Sequence, residues 1–132
     1  MTGPVADKRR KAYLWGQGAE WLCIIFLVLK GYRILARRFK CKSGEIDLIA
    51  RKGKIICFME VKARKNRHDA LYALSNKQKQ RIIRAAEWYW AKNIYNKNIE
   101  QDDYFCRFDL MAVEPWRLPT HVKDAWQMEI KL

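Results

Sequence analysis

The sequence predicts a mixed α/β (α+β) domain in which helices flank one central mixed sheet. Three observations carry this. An apolar run, Trp21–Leu29, ends at Lys30-Gly31 like a helix. Three strand-like segments follow it without a break. A capped amphipathic pattern from Ser75 then leads to one more strong strand, Tyr104–Val113. The order is α-β-β-β-α-β, which calls for helices against a single sheet.

The chain has 132 residues, half of them hydrophobic, with six tryptophans. That suits one domain with a real core. No repeat, low-complexity tract or linker divides it, so residues 1–132 form a single unit. Residues 1–11 are polar and expected to be loose, and residues 114–132 form a C-terminal extension broken by Pro115 and Pro119. The first helix follows Lys11 and runs to Lys30. Gly16 and Gly18 weaken its start or admit another backbone.

Tyr32–Lys40 reads as the first strand, Glu45–Arg51 and Lys54–Lys62 as the next two. Lys52-Gly53 is the turn signal between the last pair. Basic residues from Arg64 to Arg67 mark a loop. The second helix starts near Ser75, where Gln78 three residues on completes a capping box. Ile82, Ala86 and Tyr89 give it an apolar stripe, with Lys77, Arg81 and Arg84 on another face, and it fades over residues 93–98.

The formal net charge is +13, with a pI of about 9.8. Such a balance points to a polyanionic partner, either nucleic acid or an anionic membrane surface. Lys8–Lys11 followed by Trp21–Leu29 superficially resembles a signal peptide. The run is shorter than the ~20 residues of a bilayer span. Glu20 interrupts the stretch, and no small-residue cleavage site follows. A helix buried on most sides, in a cytoplasmic protein without membrane attachment, is the expectation. Cys23, Cys41, Cys57 and Cys106 lack paired spacing and read as reduced core residues rather than a zinc site.

The segment GEIDLIARKGKIICFMEVKAR, from Gly44 to Arg64, carries the chemistry. With the turn centred on Lys52-Gly53, Glu45 lies across from Glu60 and Asp47 lies diagonal to it. Glu45, Asp47, Glu60 and Lys62 then share one face. Three carboxylates with one lysine leave excess negative charge, which a hard divalent cation such as Mg²⁺ or Mn²⁺ would offset. Held by Asp47 and Glu60, it would suit phosphodiester hydrolysis, with Lys62 orienting water or neutralising charge. A solvated polar face with a Glu–Lys pair is the competing reading.

Gly44-Glu45-Ile46-Asp47 followed by Glu60-Val61-Lys62 resembles the PD-(D/E)XK nuclease superfamily, and within it the YraN family of predicted endonuclease-like bacterial proteins. GEIDLIA and FMEVKAR carry the likeness. Segments at Gly18–Leu22, Gly31–Phe39 and Arg107–Val113, and IIRAAEWYW in the second helix, extend it over most of the chain. The resemblance implies a restriction-endonuclease-like core. It implies Asp47 and Glu60 as metal ligands, the Val61 carbonyl as a further ligand and Lys62 as the catalytic lysine. Glu20 matches the acidic residue of the first helix that completes the site in related Holliday-junction resolvases. Its residue-level reading leaves a metal, an arginine or the backbone as partner. Glu45 is either an outer ligand or a polar sheet residue. The literal Pro-Asp is missing, and the second helix has no Gln-x-x-x-Tyr motif, which argues against the exonuclease branch.

Basic clusters bracket this centre: Arg37, Arg38, Lys40 and Lys42 before it, Arg64, Lys65 and Arg67 after it, and Lys77, Arg81 and Arg84 on the second helix. They suit phosphate contacts without sequence readout. Of Trp88, Tyr89 and Trp90, Tyr89 is assigned to the core and the tryptophans are candidates for base stacking. Asp109 is expected to pair with a basic residue, and His68 and His121 to lie in loops or at the surface. The expected function is a metal-dependent endonuclease acting on DNA, branched or damaged DNA among its candidate substrates, and a homodimer would suit resolution of branched DNA. A nucleic-acid-binding module without chemistry is the alternative.

Overall fold

A computed structural model describes residues 4–94 and 104–128, with side chains from residue 15 onward. The elements are α1 (Pro4–Leu29), β1 (Arg33–Cys41), β2 (Gly44–Lys52), β3 (Ile55–Ala63), α2 (Arg67–Leu71), α3 (Asn76–Asn93), β4 (Phe105–Val113) and β5 (Thr120–Trp126). They form one five-stranded sheet in the order β1-β2-β3-β4-β5. Only β3 and β4 run parallel, so the sheet is mixed as expected.

Alternation along β3 divides the core. Ile56 and Phe58 join α3, whose Ile82, Ile83, Ala86 and Tyr89 cover one face. Cys57 and Met59 point the other way, to Ala19, Cys23 and Leu27 of α1. Helices therefore sit on opposite faces. Each has a clear local cause. At the end of α1, Gly31 takes φ +92°, and the N–H groups of Gly31 and Tyr32 donate to the carbonyls of Val28 and Leu27, a Schellman closure. At the start of α3, Ser75 and Gln78 cap each other reciprocally.

Several expectations need correcting. α1 starts at Pro4, ahead of Lys11. A short helix, α2, occupies the predicted loop after Arg64, and β5 adds a strand in the predicted irregular tail. α1 is not buried on most sides. Trp21, Ile25, Val28 and Leu29 are exposed, because the helix is an outer layer against one sheet face. Cys106 is exposed rather than core. Among the described residues, no helix is long and apolar enough to cross a membrane. α3 ends at Asn93 with Ile94 as its C-cap, at the start of the stretch where fading is expected, and residues 95–98 lie outside the described residues.

His121 is the largest surprise. It lies in β5 with its side chain almost wholly buried, and its Nε2 is 2.7 Å from Asp109 Oδ2. Asp109 also accepts two bonds from Arg107, at 2.9 Å each, and the backbone N–H of Asp124 at 3.0 Å. Arg107 in turn donates to the Tyr32 hydroxyl. This network fixes β5 and the end of α1 onto β4. It confirms an arginine partner for Asp109 and removes His121 from the surface.

Candidate active site

The hairpin register differs from the expected one by two residues. Lys52 pairs with Ile55, so the turn is Gly53-Lys54, with Gly53 at φ +60° in the first turn position. A shift of two keeps every side chain on its face. It does change the partners: the expected Glu45–Glu60 facing pair is not formed. The register, continued, would set Asp47 opposite Glu60.

The ladder does not continue. Pairing of β2 with β3 ends at Leu48–Met59. Beyond it, β2 stays paired to β1 as far as Gly44–Cys41, and β3 stays paired to β4 as far as Ala63–Val113. The sheet therefore forks along its central seam, and the acidic motif lies in the fork. There the Asp47 side chain replaces the lost ladder partner: its Oδ2 accepts the backbone N–H of Val61 at 2.8 Å.

The Glu60 and Asp47 carboxyls interact, an interaction that favours ionisation of Asp47 and disfavours that of Glu60. Lys62 Nζ is 3.3 Å from Glu60 Oε1, and both side chains are only 13–14% exposed. Burial, and then the charge of Asp47, push the Glu60 carboxyl up to about 8, with Lys62 only partly offsetting this. Burial also raises Asp47, against the Val61 N–H bond. Cys23 closes the α1 side, and burial, helped by Asp47 and Glu20, pushes its thiol up to about 12. It stays protonated and structural.

Two cavities of about 440 and 450 Å³ flank this pair. The first opens toward α3 and is lined by Lys40, Glu45, Glu60, Gln78 and Arg81. The second opens toward α1, and its walls include Trp15, Glu20, Arg38, Asp47, Lys62 and Arg64. Exposed Glu45 borders both. Arg37, Lys42, Lys65, Lys77 and Arg84 are exposed but line neither cavity.

Glu20 is buried and its partners are arginines. Oε1 accepts from Arg37 Nε at 2.9 Å, and Oε2 from Arg38 Nε at 3.3 Å. Neighbouring residues on a regular strand point to opposite faces. Both reach Glu20 because Arg38 has φ +52°, a left-handed backbone that costs roughly 1–2 kcal/mol. Arg37 also covers the Trp21 ring, 4.5 Å from its centroid. Of the aromatic triplet, Tyr89 is core, Trp90 is partly buried, and exposed Trp88 donates to Ser43 Oγ. Neither tryptophan lines the two cavities. Trp15, Gln17 and Gln78 do; the sequence pattern marked neither of the first two and gave Gln78 only its capping role. Trp15 lies outside every charged or acidic motif, so only its place in space marks it.

A family model described as "Uncharacterised protein family UPF0102" matches residues 19–113, a span that contains Glu20, the forked hairpin and α3. A UPF0102 protein of Mesorhizobium japonicum is 46% identical over 129 residues, covering 96% of this chain and 97% of the relative. One from Rhodopseudomonas palustris is 49% identical over 124 residues, covering 93% and 90%. A third, from Nitrobacter winogradskyi, is 44% identical over 119 residues, covering 89% and 96%.

Proposed function

The chain belongs to the UPF0102 family, the YraN-type group, and on that premise we propose that it is a divalent-metal-dependent endonuclease that hydrolyses phosphodiester bonds in DNA. The observation that carries this reading is the Asp47–Glu60 pair recessed in the strand fork beside Lys62. Burial and the Asp47 charge raise the Glu60 carboxyl in a cleft between two basic-walled cavities. A carboxyl displaced in this way within a cleft supports a functional site.

The donors fit Mg²⁺ or Mn²⁺. Asp47 and Glu60 would hold the ion, with the Val61 carbonyl as an additional oxygen. Among the described residues no three acidic, histidine or cysteine side chains converge into a closed cage. Mg²⁺ does not require one, because it keeps water and takes one or two carboxylates plus substrate phosphate. When bound, the ion supplies a Lewis acid for the phosphate and a water of lowered pKa. The chain does the rest. The Val61 N–H fixes Asp47 in its rotamer. Glu60 must release its proton to become a ligand. Lys62 neutralises charge developing on the phosphate or orients the attacking water. Lys40, Arg81, Arg38 and Arg64 would contact flanking phosphates.

A second reading, a nucleic-acid-binding module without chemistry, draws on one observation: Glu20 is engaged by Arg37 and Arg38 and offers no third carboxylate to an ion. Both readings meet the same experiment. Linear, flapped and four-way DNA are incubated with rising Mg²⁺ or Mn²⁺ and wild type, Lys62→Ala or Asp47→Ala/Glu60→Ala protein. The nuclease reading expects metal-dependent cleavage, reduced about 10²–10³-fold in Lys62→Ala and lost in the double variant, with DNA binding retained. Cleavage unchanged in the double variant would sink it. Salt-sensitive binding without turnover on any substrate selects the binding module.

A further inference from the structure

We infer that the cavity between α1 and Lys62 seats one unstacked nucleotide of the strand being cut, so that the substrate is single-stranded or flapped DNA rather than continuous duplex. The inference rests on the nuclease reading for the cut, and on geometry of its own for the nucleotide.

Depth is the first reason. The Lys62 and Glu60 side chains are only 13% and 14% exposed, so a phosphate must come down into the fork to meet them. Duplex DNA is stiff, with a persistence length of about 150 bp. It cannot fold one backbone segment into such a recess, whereas an unpaired strand can. Size is the second. About 450 Å³ lies at the small-ligand end of the range for binding pockets, roughly 300–1,000 Å³.

The third reason is the difference between the two cavities. The α1-side cavity is lined by an aromatic residue, Trp15, as well as by Asp47 and Lys62 and the guanidinium-bearing Arg38 and Arg64. Every base offers a face on which an indole stacks. The α3-side cavity has no aromatic lining and presents Lys40, Gln78 and Arg81, which suit sugar and phosphate. One side thus takes a base and the other only backbone.

Gly16 completes the case. It lines the same cavity next to Trp15, and a Cβ there would meet nothing within 4 Å. Among the described residues no neighbour requires a glycine at this place in α1, where glycine weakens a helix, and the same is true of Gly18, which lines neither cavity. At Gly16 the missing side chain leaves the cavity wall beside Trp15 open to a planar base.

The test is binding without cleavage. Anisotropy of a labelled oligonucleotide is followed in EDTA, as a single strand and as the blunt duplex of the same sequence. Wild type, Trp15→Ala, Trp15→Phe and Gly16→Leu are compared. Wild type should prefer the single strand. Trp15→Ala should weaken single-strand binding about tenfold and duplex binding less than twofold, and Trp15→Phe should recover most of the loss. Gly16→Leu should also weaken single-strand binding while melting no lower than wild type, which separates obstruction from unfolding. Equal losses on both DNA forms, or none, would overturn the inference. Strand-selective losses without cleavage of any substrate would instead refute the nuclease reading and leave the nucleotide pocket standing.

Discussion

Lys62 Nζ lies 3.3 Å from Glu60 Oε1 at the point where β2 and β3 part, yet the lysine does not keep Glu60 ionised. Burial and Asp47 outweigh it, and the carboxyl titrates at about 8 against an ordinary 4.5. The folded protein therefore holds a proton that the unfolded chain has already lost between those values. This contribution to stability is complete below about pH 4.5 and fades as pH rises through 8. In EDTA, the urea midpoint of wild type should fall across pH 5–9, and Glu60→Gln should flatten that fall. Parallel profiles for the two proteins would contradict the assignment.

The same proton makes metal binding depend on pH. An ion that takes Glu60 as a ligand must displace it, so affinity should rise roughly tenfold per pH unit between pH 6 and 8. Calorimetric titration of Mn²⁺ in two buffers of different ionisation enthalpy should show close to one proton released at pH 7. Glu60→Gln should abolish the release and weaken binding. A proton count near zero in wild type would mean that Glu60 is not a ligand.

Much of the fold was legible because its signals are local. Ser75 with Gln78 marked the start of α3, and Lys30-Gly31 the end of α1. Alternation placed Glu45, Asp47, Glu60 and Lys62 together, and a register error of two left that grouping intact. What the sequence hid is non-local. Nothing in GEIDLIA says that pairing stops at Leu48, because the Asp47 side chain stands in for the missing partner only once β3 is in place. Arg37 and Arg38 read as part of a basic cluster for phosphate, but the left-handed backbone of Arg38 brings both to Glu20. His121 has no local pattern at all, and its burial depends on Asp109 twelve residues earlier.

That Asp109 cluster is the strongest stability prediction. Burial would raise the Asp109 carboxyl, but His121, Arg107 and the Asp124 N–H overcome it and hold the group below its usual range. It is a buried charge satisfied from three sides. Arg107→Leu would leave the carboxylate without its bidentate partner, and breaking such a pair costs about 3–5 kcal/mol. Chemical denaturation should show that loss at pH 7, with a smaller one for Phe108→Leu on the opposite face. An Arg107→Leu variant as stable as wild type would show the network to be incidental.

Gly44 links the fold to the site. It opens the acidic motif at the edge of β2, and a Cβ there would come within 3.2 Å of the Arg81 carbonyl oxygen and 3.3 Å of Arg81 Cβ. Both are parts of α3 close to its backbone and cannot swing aside as a side-chain tip would. The helix must therefore shift outward by a few tenths of an ångström, at a cost of about 1–3 kcal/mol. That shift would widen the cavity that Lys40 and Arg81 line and carry Arg81 away from Glu60. Gly44→Ala should accordingly lose stability and also lower the salt dependence of DNA binding, by a fraction of the about 0.7–0.9 in the log–log slope that removal of the Arg81 charge would cost. Arg81→Ala supplies the comparison, since it should change the slope without lowering the denaturation midpoint. If Gly44→Ala destabilises the protein and leaves the slope untouched, the glycine serves packing alone; an unchanged slope in Arg81→Ala would show that Arg81 does not reach the phosphates.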